Sequence, residues 1–127
     1  MRTVIRGVIK DFAPSFNGLV DENGMLFLLE DGEFALTVDT WFSGGIALSK
    51  EILERMDVEL IDFGIFRLAT GDEVELPVFW GKVVVKDSEI ETWFVPGDLL
   101  LGMEFLSLAG SLLCIDFGKG EVKLLRW

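Results

Sequence analysis

Apolar residues in this chain fall in short runs cut at close intervals by Gly, Asp and Asn, a pattern that predicts many strands joined by tight turns. The predicted strands are Thr3 to Ile9, Met25 to Leu29, Glu33 to Val38, Val74 to Phe79, Lys82 to Val85, Ile90 to Val95, Leu112 to Phe117 and Val122 to Leu125. Between them lie the turn signals Asp21-Glu22-Asn23-Gly24, Asp31-Gly32, Thr70-Gly71-Asp72, Gly81, Lys86-Asp87-Ser88 and Gly118-Lys119-Gly120. Each supplies a residue that tolerates positive φ or bonds its own backbone. Two segments break the strand pattern. Ser49 caps a predicted helix from Lys50 to about Met56, with Glu51 in its first turn and Ile52, Leu53 and Met56 on one face. A second helix is expected from Met103 to Leu108, ended by Gly110, with Leu101, Phe105 and Leu108 facing a core.

No linker, low-complexity tract or long repeat interrupts the 127 residues, so residues 1–127 read as a single domain of all-β class with one or two short helices. Eleven basic against twenty-two acidic residues give a net charge of -11, which repels nucleic acid and acidic membrane surfaces. Histidine is absent, which removes Ser-His-Asp and Cys-His catalysis and His-ligated zinc, and leaves carboxylates as the acid-base groups at neutral pH. The lone Cys114 sits in the apolar run Leu112-Leu113-Cys114-Ile115 and reads as a buried thiol, in keeping with a reducing cytoplasm. The N-terminus has no apolar leader, and no run of about 18 apolar residues suggests a membrane helix. A soluble cytoplasmic chain is the expectation. Half the residues are apolar, with eleven Phe and four Trp, more than so small a domain can hide inside, and a homodimer would bury the excess.

Chemistry concentrates in Phe34-Ala35-Leu36-Thr37-Val38-Asp39-Thr40-Trp41-Phe42-Ser43-Gly44, where an apolar strand delivers one carboxylate, Asp39, into a turn of small polar residues. On its own such an Asp reads as an ordinary turn residue. Its context changes the reading. Val38 to Gly44, then Leu68-Ala69-Thr70-Gly71-Asp72 with Val74 to Val78, then Leu99-Leu100-Leu101-Gly102-Met103-Glu104-Phe105-Leu106, closely resemble in order and spacing the single-domain retropepsin-like aspartic proteases of prokaryotes. In that family the first segment reads V-D-T-G-F-S-G, the second is a flap hairpin, and the third is an apolar-apolar-Gly motif that braces the catalytic loop. The resemblance covers nearly all the chain after about Glu33, and more loosely Thr3 to Ile9.

The resemblance implies a closed acid-protease β-barrel and an endopeptidase that acts as a homodimer, because each protomer supplies one Asp. Two carboxylates roughly 3 Å apart share a proton, so one deprotonates the lytic water while the other hydrogen-bonds or protonates the scissile carbonyl. By the resemblance Asp39 and Thr40 are catalytic, Thr40 locking the two loops together. Trp41, Phe42, Ala69, Thr70, Gly71 and Asp72 contact the peptide, and Leu100, Leu101 and Gly102 support the site. Neither metal nor cofactor is implied, and the partners are a peptide or protein substrate and a second copy. Trp41 stands where the family has glycine. Either its indole swings aside and the site survives, or it fills the groove and leaves a peptide-binding or dimerisation module without hydrolysis.

Other signals have plainer readings. Arg2 to Arg6 faintly resembles the R-x-x-x-R arm of PilZ domains, but Asp39 and Ser43 are four apart where that family's second motif wants two. Asp21-Glu22-Asn23-Gly24 lacks the remaining ligands of a calcium loop and reads as a hairpin turn. Glu73, Glu75, Asp87, Glu89 and Glu91 read as solvated strand faces; Trp80 and Trp93 either line a groove or, as aromatic residues in strands usually do, serve packing.

Overall fold

Asp21 folds the second hairpin: its Oδ1 accepts from the N–H groups of Asn23 at 3.0 Å and Met25 at 2.9 Å, turning β2 (Ala13–Val20) into β3 (Leu26–Leu28). A computed structural model of the chain describes residues 1–68 and 70–127. The remaining strands are β1 (Arg2–Lys10), β4 (Phe34–Val38), β5 (Ile46–Leu48), β6 (Glu59–Arg67), β7 (Glu73–Val85), β8 (Ser88–Pro96), β9 (Leu100–Leu101), β10 (Leu112–Asp116) and β11 (Glu121–Arg126). Strand content is 57%.

The order β2-β3-β7-β8-β5-β9-β4 closes on itself because β4 also pairs with β2, giving a seven-stranded mixed barrel. Strand β2 makes closure possible. Its start pairs with β1, its end with β3 and its middle with β4 (Ser15↔Thr37 to Gly18↔Phe34). From β1 the sheet runs on outside the ring through β11 to β10. The barrel interior holds Phe16, Leu26, Leu36, Ile46, Val83 and Phe94, each almost fully buried. Alternation along the strands directs these side chains inward, as Leu26 and Leu28 show on β3.

Two short helices complete the fold. Helix α1 (Lys50–Glu54) is capped by Ser49, whose Oγ accepts from the Ile52 N–H at 3.3 Å, and it buries Leu53, with Met56 just beyond. Helix α2 (Met103–Ala109) buries Phe105, Leu106 and Ala109. Leu108, expected on the inner face, is instead 46% exposed. At 100° per residue the stripe Gly102, Phe105, Leu106, Ala109 faces the core and Leu108 falls beside it.

The sequence pattern misses four strands and misplaces a turn. Strand β2 carries Pro14, Asn17 and Gly18, residues that read as loop, yet it is paired on both edges. Strands β5 and β9 are too short to show a period, and the apolar run of β6 is broken by Asp62 and Gly64. Gly81 is no turn: β7 runs straight through it, and a Cβ there would press on the Val58 side chain, so close packing accounts for the glycine. Cys114, expected to be buried, is only half-buried, because β10 lies at the sheet margin where no further described strand pairs with it.

Phe105 joins α2 to the barrel core. Phe105→Ala should cost about 3–5 kcal/mol of stability, as aromatic truncations in a closed core do, read as a lowered midpoint in urea unfolding followed by tryptophan fluorescence.

Candidate functional site

Strand β4 ends at Val38, and the loop 39–45 that follows returns to the barrel as β5. Between the two legs of this loop lies β9. It runs parallel to β4 (Thr37↔Leu100, Val38↔Leu101) and antiparallel to β5 (Ile46↔Leu101, Ala47↔Leu100). The Asp39 N–H donates to the Leu101 carbonyl at 3.1 Å, and the Gly102 N–H to that of Gly45 at 2.7 Å. Past Gly102 the chain enters α2, whose first amides have no partner within the helix. Met103 N–H donates to Phe42 O at 2.8 Å and Glu104 N–H to Gly44 O at 3.1 Å, so loop carbonyls satisfy those orphan donors. The approach is so close that a Cβ on Gly102 would run into the Gly44 carbonyl, which is why the segment needs glycine there.

Within this frame the half-buried Asp39 is oriented by its own loop. Its Oδ1 accepts from the Trp41 N–H at 2.9 Å, and its carbonyl from the Phe42 N–H at 3.2 Å. Trp41 is not among the residues with positive φ, so the loop does not require glycine at that position. Its indole is 95% exposed. Phe42 stays against the body of the protein, edge-on to Trp93 at 5.9 Å between ring centroids. Thr40 is exposed and its side chain makes no hydrogen bond to a described residue.

The hairpin of β6 and β7 stands off the barrel. Residues on β7 before Gly81 are exposed or half-buried, whereas Gly81, Val83 and Val85 are buried. At the hairpin tip Leu68 N–H donates to Asp72 O at 2.8 Å and Gly71, with φ +92°, donates to Leu68 O at 2.9 Å. Thr70 Oγ1 donates to Asp72 Oδ2 at 3.1 Å. Ala69, expected in the same turn, lies outside the described residues.

Hairpin and loop enclose two adjoining cavities. One, of about 750 Å³, is lined by Asp39, Leu68, Leu76, Val95, Asp98 and Leu100 among others. The other, of about 650 Å³, lies towards Ile61, Asp62, Phe63, Trp80 and Trp93. Trp41, Phe42, Phe66 and Arg67 line both, so the two make one groove crossed by an aromatic ridge. Of the residues expected at the site, Asp39, Trp41, Phe42 and Leu100 meet at the groove, while Leu101 is buried beneath and Gly102 touches the loop from behind. Thr40, Thr70, Gly71 and Asp72 line neither cavity. Phe66, Arg67, Leu68 and Asp98 were not anticipated; the first two belong to β6, which the sequence pattern does not reveal as a strand.

The exposed indole adds little to the fold of the chain. Trp41→Gly should therefore change stability by no more than about 1 kcal/mol, a backbone-entropy effect rather than the loss of buried surface, read as a nearly unchanged urea midpoint.

Among the described residues no group of three or more His, Cys, Asp or Glu side chains is placed to hold a metal ion, and no helix is long and apolar enough to cross a membrane. Models of protein families, curated proteins and solved structures all give no match to this chain.

Proposed function

We propose that this chain is an aspartic endopeptidase that works as a homodimer, each protomer supplying one Asp39. The observation that carries this reading is the placement of Asp39 at a groove, on a loop pinned between two strands and faced by a projecting hairpin. The order of the Asp39 segment, hairpin and Leu100-Leu101-Gly102 segment supports it, as does their resemblance to retropepsin-like proteases.

In the proposed dimer the two Asp39 carboxylates lie side by side and hold one proton between them, since neighbouring carboxylates at such range do not both ionise. The charged member takes a proton from a water molecule, whose oxygen attacks the scissile carbonyl carbon. The protonated member gives its proton to the carbonyl oxygen, and the tetrahedral intermediate then collapses as the amine leaves with a proton returned from the dyad. The Trp41 N–H holds each carboxylate in place. Thr40, exposed and without a described side-chain partner, is free to bond across the dimer to the other loop. The hairpin closes over an extended peptide and offers it backbone hydrogen bonds.

The second copy is proposed to pair at the margin of the sheet. The outer edge of β10 pairs with no described strand, and it carries Leu112 and Ile115 exposed at 44% and 38%. Strand β10 follows directly on α2, which grips the Asp39 loop, so pairing there would act on both loops through a short path. Sedimentation should show a dimer at tens of micromolar protein, and Ile115→Lys should shift it towards monomer and abolish cleavage together. A monomeric parent protein would count against a pre-formed site.

Trp41 favours a second reading. An exposed indole lining the groove could occupy the place of the peptide, leaving a binding or dimerisation module without hydrolysis. A diverse peptide library separates the two. For the protease, cleavage appears at acid to neutral pH, between about pH 4 and 7, and Asp39→Asn abolishes it. If only Trp41→Gly cleaves, and Asp39→Asn in that background is silent, the indole is the block. Should neither parent nor Trp41→Gly cleave while both remain folded and dimeric, the module reading replaces the protease.

A further inference from the structure

We infer that the groove takes an extended peptide whose apolar centre is flanked by basic residues. This rests on the groove beside Asp39 being a peptide site, and it names the class of peptide that the site selects.

The centre of the groove is aromatic and aliphatic, formed by Trp41, Phe42 and Phe66 on the ridge with Leu76, Val95 and Leu100 to one side. Beyond Asp39, its lining includes one carboxylate on each side of the ridge: Asp98 in the larger cavity and Asp62 in the smaller. Neither pairs with a basic side chain among the described residues. The ion pairs among the described residues join Arg6 and Lys123 to Glu121, Arg55 to Glu33, Arg67 to Glu73 and Lys82 to Glu89. Asp62 Oδ1 accepts only the N–H of the next residue, Phe63, at 2.7 Å, and Asp98 makes no side-chain hydrogen bond to a described residue.

Arg67, the basic residue that lines both cavities, faces Glu73 across the hairpin with 3.7 Å between charged atoms, so its charge is partly offset. From Glu59 to Glu75 the hairpin carries five acidic residues and this one arginine. Unpaired carboxylates beside a low-dielectric apolar wall focus negative potential into the groove, and the net charge of -11 adds a long-range field of the same sign. An apolar peptide with Lys or Arg on both sides matches this surface at its centre and at both ends. An acidic peptide meets repulsion at both carboxylates, and a uniformly apolar one leaves them unanswered.

The test uses the full-length Asp39→Asn protein, so that binding is read without cleavage. Two peptides share an extended apolar hexapeptide centre and differ in having two Lys or two Glu at each end, and their binding is followed by fluorescence anisotropy. The Lys-flanked peptide should bind at least tenfold more tightly in low salt, with the gap narrowing at high salt. Asp98→Asn and Asp62→Asn should each reduce that preference several-fold, while Asp87→Asn, an equal charge change on the β7–β8 turn away from the groove, should leave it unchanged. Equal binding of the two peptides, no binding of either, or an equal effect of Asp87→Asn would overturn the inference. The protease reading is scored separately, by cleavage with the parent protein. Preference without cleavage retains the inference and removes the protease, and cleavage without preference does the reverse.

Discussion

Hydrogen bonding of β9 on both sides governs the geometry of this protein. Two residues, Leu100 and Leu101, separate the outgoing leg of the Asp39 loop from its returning leg and bond to each. A loop in this position would otherwise expose its carbonyls and move freely. Here its carbonyls accept from Gly102, Met103 and Glu104, so one segment both divides the loop and caps it. The arrangement demands close backbone approach, and Gly102 against Gly44 supplies it. Because Leu101 is fully buried and Phe105 follows it into the core, the loop is fastened to the buried interior of the protein.

A different rule shapes the β6–β7 hairpin. Where β7 enters the ring its residues alternate into the core, but from Gly81 outward the same strand and its partner β6 leave most of their surface to solvent. Ile61, Phe63 and Ile65 are apolar and exposed on it, which is costly for an isolated hairpin and understandable for one that faces a groove or a partner. Its acidic residues keep that apolar surface soluble and shape the field over the groove at the same time.

Trp41 draws these parts together. The loop accepts any L-residue at this point because its backbone lies outside the left-handed region, and the N–H still reaches Asp39. An indole at this position thus leaves the loop intact and stands in the groove, where Trp41 forms a ridge with Phe42 and Phe66. The consequence is chemical rather than architectural, because it concerns access to a carboxylate already held in place.

The sequence alone determined the β class, most turns, the Ser49-capped helix and the segment that presents Asp39, because these depend on local signals: alternation, side-chain capping and Asp or Gly at tight bends. It also marked Leu100-Leu101-Gly102 as a unit. Tertiary structure decided the rest. Strand β2 exists because three neighbours pair with it, despite Pro14 and Gly18, and β9 exists because two loop legs flank it; neither has a period of its own to read. Barrel closure depends on the pairing of β2 with β4 across fifteen or more intervening residues, and no local pattern encodes so distant a contact. The groove is still further from the sequence, since Phe66, Arg67 and Asp98 become neighbours of the Asp39 loop only when a hairpin and a barrel rim are brought face to face. Local chemistry thus wrote the elements, and long-range pairing chose which side chains would share a cavity.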